Sequence, residues 1–350
     1  MRKLLLLAAG VLFVLGGTAY AFHDEGVARC AGCHTMHNSQ NNALVDPNSP
    51  NGNPWLLKDA TPSDVCLSCH AVTHGNEFTG TPLNPPAQTA AGSFIFLTAT
   101  NLNEGRSGSY PGYAAGHSIV APGYALAADG AVLSAPGGGA GAFPSASLGC
   151  SSCHDPHGNM NFRMLYGIGA IQDGLFTFTN AAPIAEGVSY NDTVSNTIHT
   201  AYHSGMSAWC GNCHGDFHNN NTKLIHPSGR ALGGTIAGIY NRYNGTGDQN
   251  GAVQATSFLE LVPFEDAAMT TTSTTGPTAS SQVMCLTCHR AHATSSPDAG
   301  RWDFTISVWS EEGVRSGTYA IPNPYPNPLA DQRSLCNKCH NKDVNDLLLP

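Results

Sequence analysis

Charge is what this chain has least of. Asp, Glu, Lys and Arg make up 11% of its 350 residues, against roughly a quarter in ordinary globular proteins. The few charges are mostly acidic, with 24 Asp and Glu against 15 Lys and Arg. The basic face that nucleic acid requires is missing, and no such partner is expected. Asn, Ser, Thr and Gly carry the polarity instead, a surface compatible with close self-association. Long apolar runs are also scarce. Beyond residues 4–15 no stretch is long enough to anchor in a bilayer, so no membrane span is expected. Spare thiols are absent too, because all twelve cysteines fall into one recurring motif.

The apolar run near the start follows Arg2 and Lys3 and precedes Ala19-Tyr20-Ala21, with Gly16-Gly17 breaking it. Basic, apolar and small-residue regions in that order make residues 1–21 a cleaved export signal. Its removal leaves 13 basic against 24 acidic side chains, a net of −11 (13 − 24). Export places the mature chain, residues 22–350, outside the cytoplasm.

The motif is Cys-x-x-Cys-His, at 30–34, 66–70, 150–154, 210–214, 285–289 and 336–340. Two thiolates at this spacing add across haem vinyl groups, and the adjacent histidine becomes an axial ligand of the iron. A zinc site or a redox-active dithiol would use the cysteines but would not explain the histidines. With 16 His in the chain, six chance placements directly after six motifs have a probability on the order of 10⁻⁸. Six covalent c-type haems are therefore expected, on Cys30 and Cys33, Cys66 and Cys69, Cys150 and Cys153, Cys210 and Cys213, Cys285 and Cys288, and Cys336 and Cys339. The proximal ligands are His34, His70, His154, His214, His289 and His340.

Six haems leave roughly 55 residues each, whereas a conventional apolar core uses about 100–200. Porphyrin then replaces much of the side-chain core. The expected fold is mostly irregular, with a few short α-helices, a single multihaem c-type cytochrome domain wrapped around a chain of six haems. Gly 39 and Pro 22 agree with a loop-rich wrap. The motifs lie at intervals of 36, 84, 60, 75 and 51 residues, too irregular for a fixed repeat. Loops 136–144 and 270–281 read as solvated surface. Thr61-Pro62-Ser63-Asp64 reads as a helix start before Cys66, and Asp331 as the start of a turn into Cys336. Ile236, Ile239, Tyr240 and Tyr243 recur at helical spacing and are expected to pack on a haem.

The far side of each iron decides between catalysis and conduction. Beyond the motifs stand His23, His37, His74, His117, His157, His199, His203, His218, His226 and His292, enough to close six irons, whereas the chain has only seven Met. Six bis-histidine haems are expected, which favours low potentials. His37, His157 and His292 each follow a motif histidine by three residues, and His218 follows His214 by four. On one helical turn such pairs share a face. They cannot clasp one haem from opposite sides, so the second histidine must serve a different haem.

Several blocks are similar to the OmcS-type extracellular hexahaem cytochromes of metal-reducing bacteria. They are Phe22-His23 with Cys30-Ala-Gly-Cys-His34-Thr-Met-His37-Asn-Ser, Gly116-His117-Ser-Ile-Val120, Cys150-Ser-Ser-Cys-His154-Asp-Pro-His157-Gly158, Met206-Ser-Ala-Trp-Cys210 onward to His218, His226-Pro-Ser-Gly229, and segments 235–241, 285–293 and 335–342. The second motif is matched mainly by its cysteines. Segments 81–106, 165–200 and 295–330 look shorter or diverged.

The resemblance implies a secreted electron-transfer protein, not an enzyme, that polymerises into a conductive extracellular filament. Its electrons would pass to acceptors such as metal oxides or other cells. It also implies that His37 ligates the fifth haem, on Cys285, Cys288 and His289, of a neighbouring protomer. The matching blocks hold His23, His37, His117, His157, His218, His226 and His292, seven distal candidates for six irons, one of them surplus. His74, His199 and His203 fall outside these blocks and read as loop residues, His203 being the candidate exception. Two other readings compete. A soluble periplasmic shuttle would keep His37 within its own chain. A multihaem nitrite or hydroxylamine reductase would need an exchangeable iron position, against which six histidine-terminated motifs and plentiful distal candidates speak.

Overall fold

The computed structural model describes residues 23, 29–87, 89–102, 109–139, 142–172, 176–188, 192–219, 226, 228–248, 250–259, 261–304, 308, 325, 327, 329–333 and 335–341, the side chains of 218 and 219 excepted. The expected export signal lies outside the described residues.

Regular structure is sparse and clusters at the motifs. In chain order the helices are α1 (Cys30–Cys33), α2 (Pro62–His70), α3 (Met206–Cys210), α4 (Gly215–Asn219), α5 (Gly233–Tyr240), α6 (Gln254–Ser257) and α7 (Cys285–Cys288). Short 3-10 turns Cys150–Ser152 and Leu335–Lys338 hold the third and sixth motifs. Among the described residues there are also three two-stranded antiparallel ladders, β1 (Ser39–Gln40) with β2 (Ala43–Leu44), β3 (Ile171–Gln172) with β4 (Phe176–Thr177), and β5 (Ile184–Glu186) with β6 (Ala201–Ser204), and further short 3-10 turns. This is the mostly irregular, short-helix architecture that the composition implies.

The helix starts show which local signals hold. Thr61 caps α2: its Oγ1 accepts from the Asp64 backbone N–H and donates to Asp64 Oδ2 at 2.7 Å, with Pro62 in the first turn. At the sixth motif the helical turn begins at Leu335, not at Asp331, which sits in the preceding turn. Helix α5 stops at Tyr240, so Tyr243 lies beyond it.

Among the described residues there are four small cores instead of one, and three of them back onto motif cysteines. Tyr240, Tyr243, Leu259, Val262, Phe264, Trp302, Tyr325 and Leu335 form the largest, with Ile236, Ile239, Cys288 and Cys339 packed against it. The α5 stripe thus packs among apolar side chains that also back onto Cys288 and Cys339, the attachment cysteines of the fifth and sixth motifs. A second cluster joins Leu67 and Ala71 of α2 to Ile119 and Cys150, and a third joins Met206 and Leu286 to Trp209 and Cys210. Loop 136–144 is not merely solvated surface. Phe143 is buried, and Ala135 N–H donates to its carbonyl at 2.8 Å, closing the loop on itself.

Candidate haem-binding site

Each motif is one helical turn. The histidine N–H donates to the carbonyl of the first cysteine, at 2.8 Å for His34 and Cys30 and at 3.0 Å for His154, His214, His289 and His340 with theirs. Residues at i, i+3 and i+4 on such a turn share a face, so both thiols and the imidazole point the same way.

Orientation of the rings comes from elsewhere in the chain. His34 Nδ1 donates to Trp55 O at 2.9 Å, His154 Nδ1 to Arg163 O at 2.8 Å, and His289 Nδ1 to Asp298 O at 2.8 Å. Each of these carbonyls belongs to a residue with positive φ, and the next residue is also left-handed: Trp55 and Leu56, Arg163 and Met164, Asp298 and Ala299 at 52–59°. The second residue's carbonyl accepts a backbone N–H just after the histidine, from Thr35, Asp155 and Arg290 respectively. One clamp therefore recurs at the first, third and fifth motifs. His214 Nδ1 donates to Pro136 O at 2.7 Å, giving loop 136–144 a structural task. A carbonyl can only accept, so each Nδ1 carries the proton and each Nε2 keeps a lone pair available to a metal.

The motif histidines meet the expected distal candidates in pairs. Ring centroids lie 6.3 Å apart for His34 and His157, 6.1 Å for His70 and His23, 6.5 Å for His154 and His292, 6.0 Å for His214 and His117, and 6.1 Å for His340 and His226. A metal–imidazole bond of about 2.0–2.1 Å, plus roughly 1.1 Å from nitrogen to ring centroid, puts two trans imidazoles about 6.3 Å apart. The residues present fit an iron between each pair. His157 and His292 each face the motif histidine of a different motif from the one they follow.

Among the described residues no imidazole faces His289, whose ring contact is Phe304, edge-on at 5.2 Å. His37 is exposed. The side chain of His218 lies outside the described residues, so its place remains an expectation. Of the remaining three, His74 is exposed, and buried His199 has Nε2 2.8 Å from Ser273 O and Nδ1 3.3 Å from Thr200 O, carbonyls to which one ring N–H donates. His203 sits in β6 with its Nδ1 buried and without a hydrogen-bond partner among the described residues.

Five of these imidazoles are shifted toward the neutral form that metal ligation requires. Burial pushes His117 and His154 down to about 4, and it also lowers His70, His289 and His340. His292 is the exception. Burial alone would lower it, but the charge of Glu77 and a 2.7 Å hydrogen bond from His292 Nδ1 to Glu77 Oε2 outweigh that and raise it.

The cysteines give the order of the sites. The turns of the second and third motifs pack against each other and bring their first thiols, Cys66 and Cys150, together, and those of the fourth and fifth do the same for Cys210 and Cys285. Second thiols lie close enough to feel each other's charge within the other pairs: Cys33 with Cys69, Cys153 with Cys213, and Cys288 with Cys339. The six sites follow one another in chain order, with alternating contacts.

Sequence reasoning missed the carbonyl clamps and Glu77. The clamps lie 21, 9 and 9 residues after their histidines, with no shared residue type at the accepting position, so spacing carries no signal. Gly116 is a related case: a Cβ there would collide with the His292 carbonyl, and the close approach lets His117 N–H donate to that carbonyl at 3.0 Å.

Comparison with known proteins agrees with this geometry. Residues 23–75 match the model of the doubled CXXCH motif family. The chain is 35% identical to the C-type cytochrome OmcS of Geobacter sulfurreducens, in an alignment covering 98% of this chain and 99% of that one. It superposes on the outer membrane cytochrome S filament of Geobacter sulfurreducens with a TM-score of 0.72 at 32% identity, and on the OmcS nanowires of that organism with 0.73 at 33%. Both matches cover 92% of this chain and 100% of the other. Among the described residues no helix is long and apolar enough to cross a membrane.

Proposed function

The chain belongs to the OmcS family of c-type cytochromes, with six covalently attached haems and a role in electron transfer rather than as an enzyme; from that premise we propose that it is exported and polymerises into an extracellular filament. That filament conducts electrons along bis-histidine haems to acceptors such as metal oxides or other cells. When bound, haem supplies the one-electron iron couple. The chain's own residues do the rest. His70 with His23, His214 with His117, His34 with His157, His340 with His226 and His154 with His292 would hold the second, fourth, first, sixth and third haems. Double imidazole ligation leaves no exchangeable position on those five and favours low potentials. His37 closes the fifth haem of a neighbouring protomer, and His218 is the surplus candidate.

The observation that most supports this reading is the row of five facing imidazole pairs at the spacing of trans ligands. It is a layout for conduction, because the turns of the first, third and fifth motifs each carry histidines for two sites and so hold them close. Electron microscopy of the haem-containing extracellular fraction, with the protein identified in the same sample, tests it. Filaments are expected. Dispersed monomer-sized particles across a range of pH and concentration would overturn it in favour of a periplasmic shuttle.

A further inference from the structure

The irregular motif spacing conceals a threefold repeat. Each unit has a leading histidine, an odd motif with a second histidine three residues on, a left-handed clamp, and an even motif. In the first unit these are His23, His34, His37, Trp55 and His70; in the second His117, His154, His157, Arg163 and His214; in the third His226, His289, His292, Asp298 and His340.

The two junctions between units share the same bonds. At the first, His157 faces His34, His23 faces His70, and His23 Nδ1 donates to Pro156 O at 3.3 Å. At the second, His292 faces His154, His117 faces His214, and His117 Nδ1 donates to Ala291 O at 2.7 Å. Pro156 and Ala291 are equivalent, each two residues after its motif histidine. The motif turns pack on each other at both junctions, which sets Cys66 close to Cys150 and Cys210 close to Cys285. Even the cap recurs: Cys150 N–H donates to Ser63 Oγ at 3.2 Å, and Cys285 N–H to Ser207 Oγ at 3.0 Å, each serine three residues before its even motif.

Among the described residues the third unit meets no following turn, since no imidazole faces His289, and the His37 turn of the first unit is exposed. We infer that the boundary between copies is a third instance of this junction, in which the leading histidine His226 donates its Nδ1 proton to the main-chain carbonyl of Met36 of the next copy, while Cys336 lies against Cys30 of that copy. The inference rests on the filament reading and adds to it, since His37 and Met36 then arrive together on one rigid turn. That copy's His37 faces His289 as His157 faces His34, and its Met36 orients His226 as Pro156 orients His23. One imidazole and one carbonyl from a single turn thus complete two sites at once, the fifth and the sixth. The serine cap is the one element not repeated, because Arg333 stands at the equivalent position.

The contact is to a carbonyl, and the second unit already has proline at this position. Met36→Pro is therefore expected to polymerise as the parent does, with six haems still attached. A second measurement is a filament map that resolves main-chain carbonyls. It is expected to place His226 Nδ1 within hydrogen-bond distance of the next copy's Met36 carbonyl and Cys336 beside its Cys30. A map with His37 facing His289 but His226 bonded elsewhere would overturn the inference and leave the filament reading standing. A map in which His37 does not reach His289 would overturn both. Loss of filaments in a fully haem-loaded Met36→Pro protein would overturn the carbonyl contact.

Discussion

Glu77 accepts a 2.7 Å hydrogen bond from Nδ1 of His292, the ring that faces His154. The rings of His23, His34, His117, His154, His214 and His289 donate instead to main-chain carbonyls. A carboxylate partner makes an imidazole a stronger electron donor than a carbonyl partner does. The third haem should then be held more firmly in the ferric state than its neighbours, a dip in potential partway along the chain. Glu77→Gln keeps the shape and removes the charge. It is expected to raise one of the six midpoint potentials by about 59 mV, a tenfold shift in a one-electron equilibrium. Spectroelectrochemical titration would show this, and six unmoved potentials would refute it. His292→Ala separates the assumptions, since it should turn one low-spin haem high-spin if His292 is a ligand at all.

The left-handed clamps hold non-glycine residues where each costs on the order of 1–3 kcal/mol. They persist because both carbonyls of each clamp are used, one by an imidazole and one by a backbone N–H. Met164, at φ 57°, tests this. Valine there adds a β-branch in a region that disfavours it, and glycine removes the strain. Met164→Val is expected to lower stability by roughly 1 kcal/mol or more relative to Met164→Gly. Equal denaturant midpoints for the two variants would show that the conformation carries no cost.

Lys338 lies inside the sixth motif, yet its ammonium points into protein. Nζ donates to Tyr240 O at 2.7 Å, to Tyr243 O at 3.2 Å and to Ser257 O, and sits 4.1 Å from the Tyr240 ring centroid. One side chain ties the last motif to the end of α5 and to α6. Lys338→Met would leave those acceptors buried without it, at about 1–3 kcal/mol for a buried group that loses its partner. A fall in the thermal midpoint with haem content unchanged is expected, and an unchanged midpoint would show the cage to be dispensable.

How much of this could be read from the residues differs by level. Haem number, proximal ligands and the idea that His157 and His292 serve other haems follow from Cys-x-x-Cys-His and His-x-x-His, because covalent attachment and helical phase are local. The α2 start is equally local, since Thr61, Pro62 and Asp64 cap within four residues. Which site His157 faces is a matter of chain path. So is the orienting role of Trp55, Arg163, Asp298 and Pro136, which act through main-chain carbonyls and leave no mark in residue type. The repeat was hidden for the same reason. Its units are defined by contacts, while the segments between those contacts vary in length.

The central claim is that one bond from His37 joins successive copies through the fifth haem. The most direct test is electron paramagnetic resonance of the ferric His37→Ala protein, run beside electron microscopy of the same sample. The account predicts five low-spin haems, one high-spin haem and no filaments. Six low-spin haems in intact filaments would contradict it.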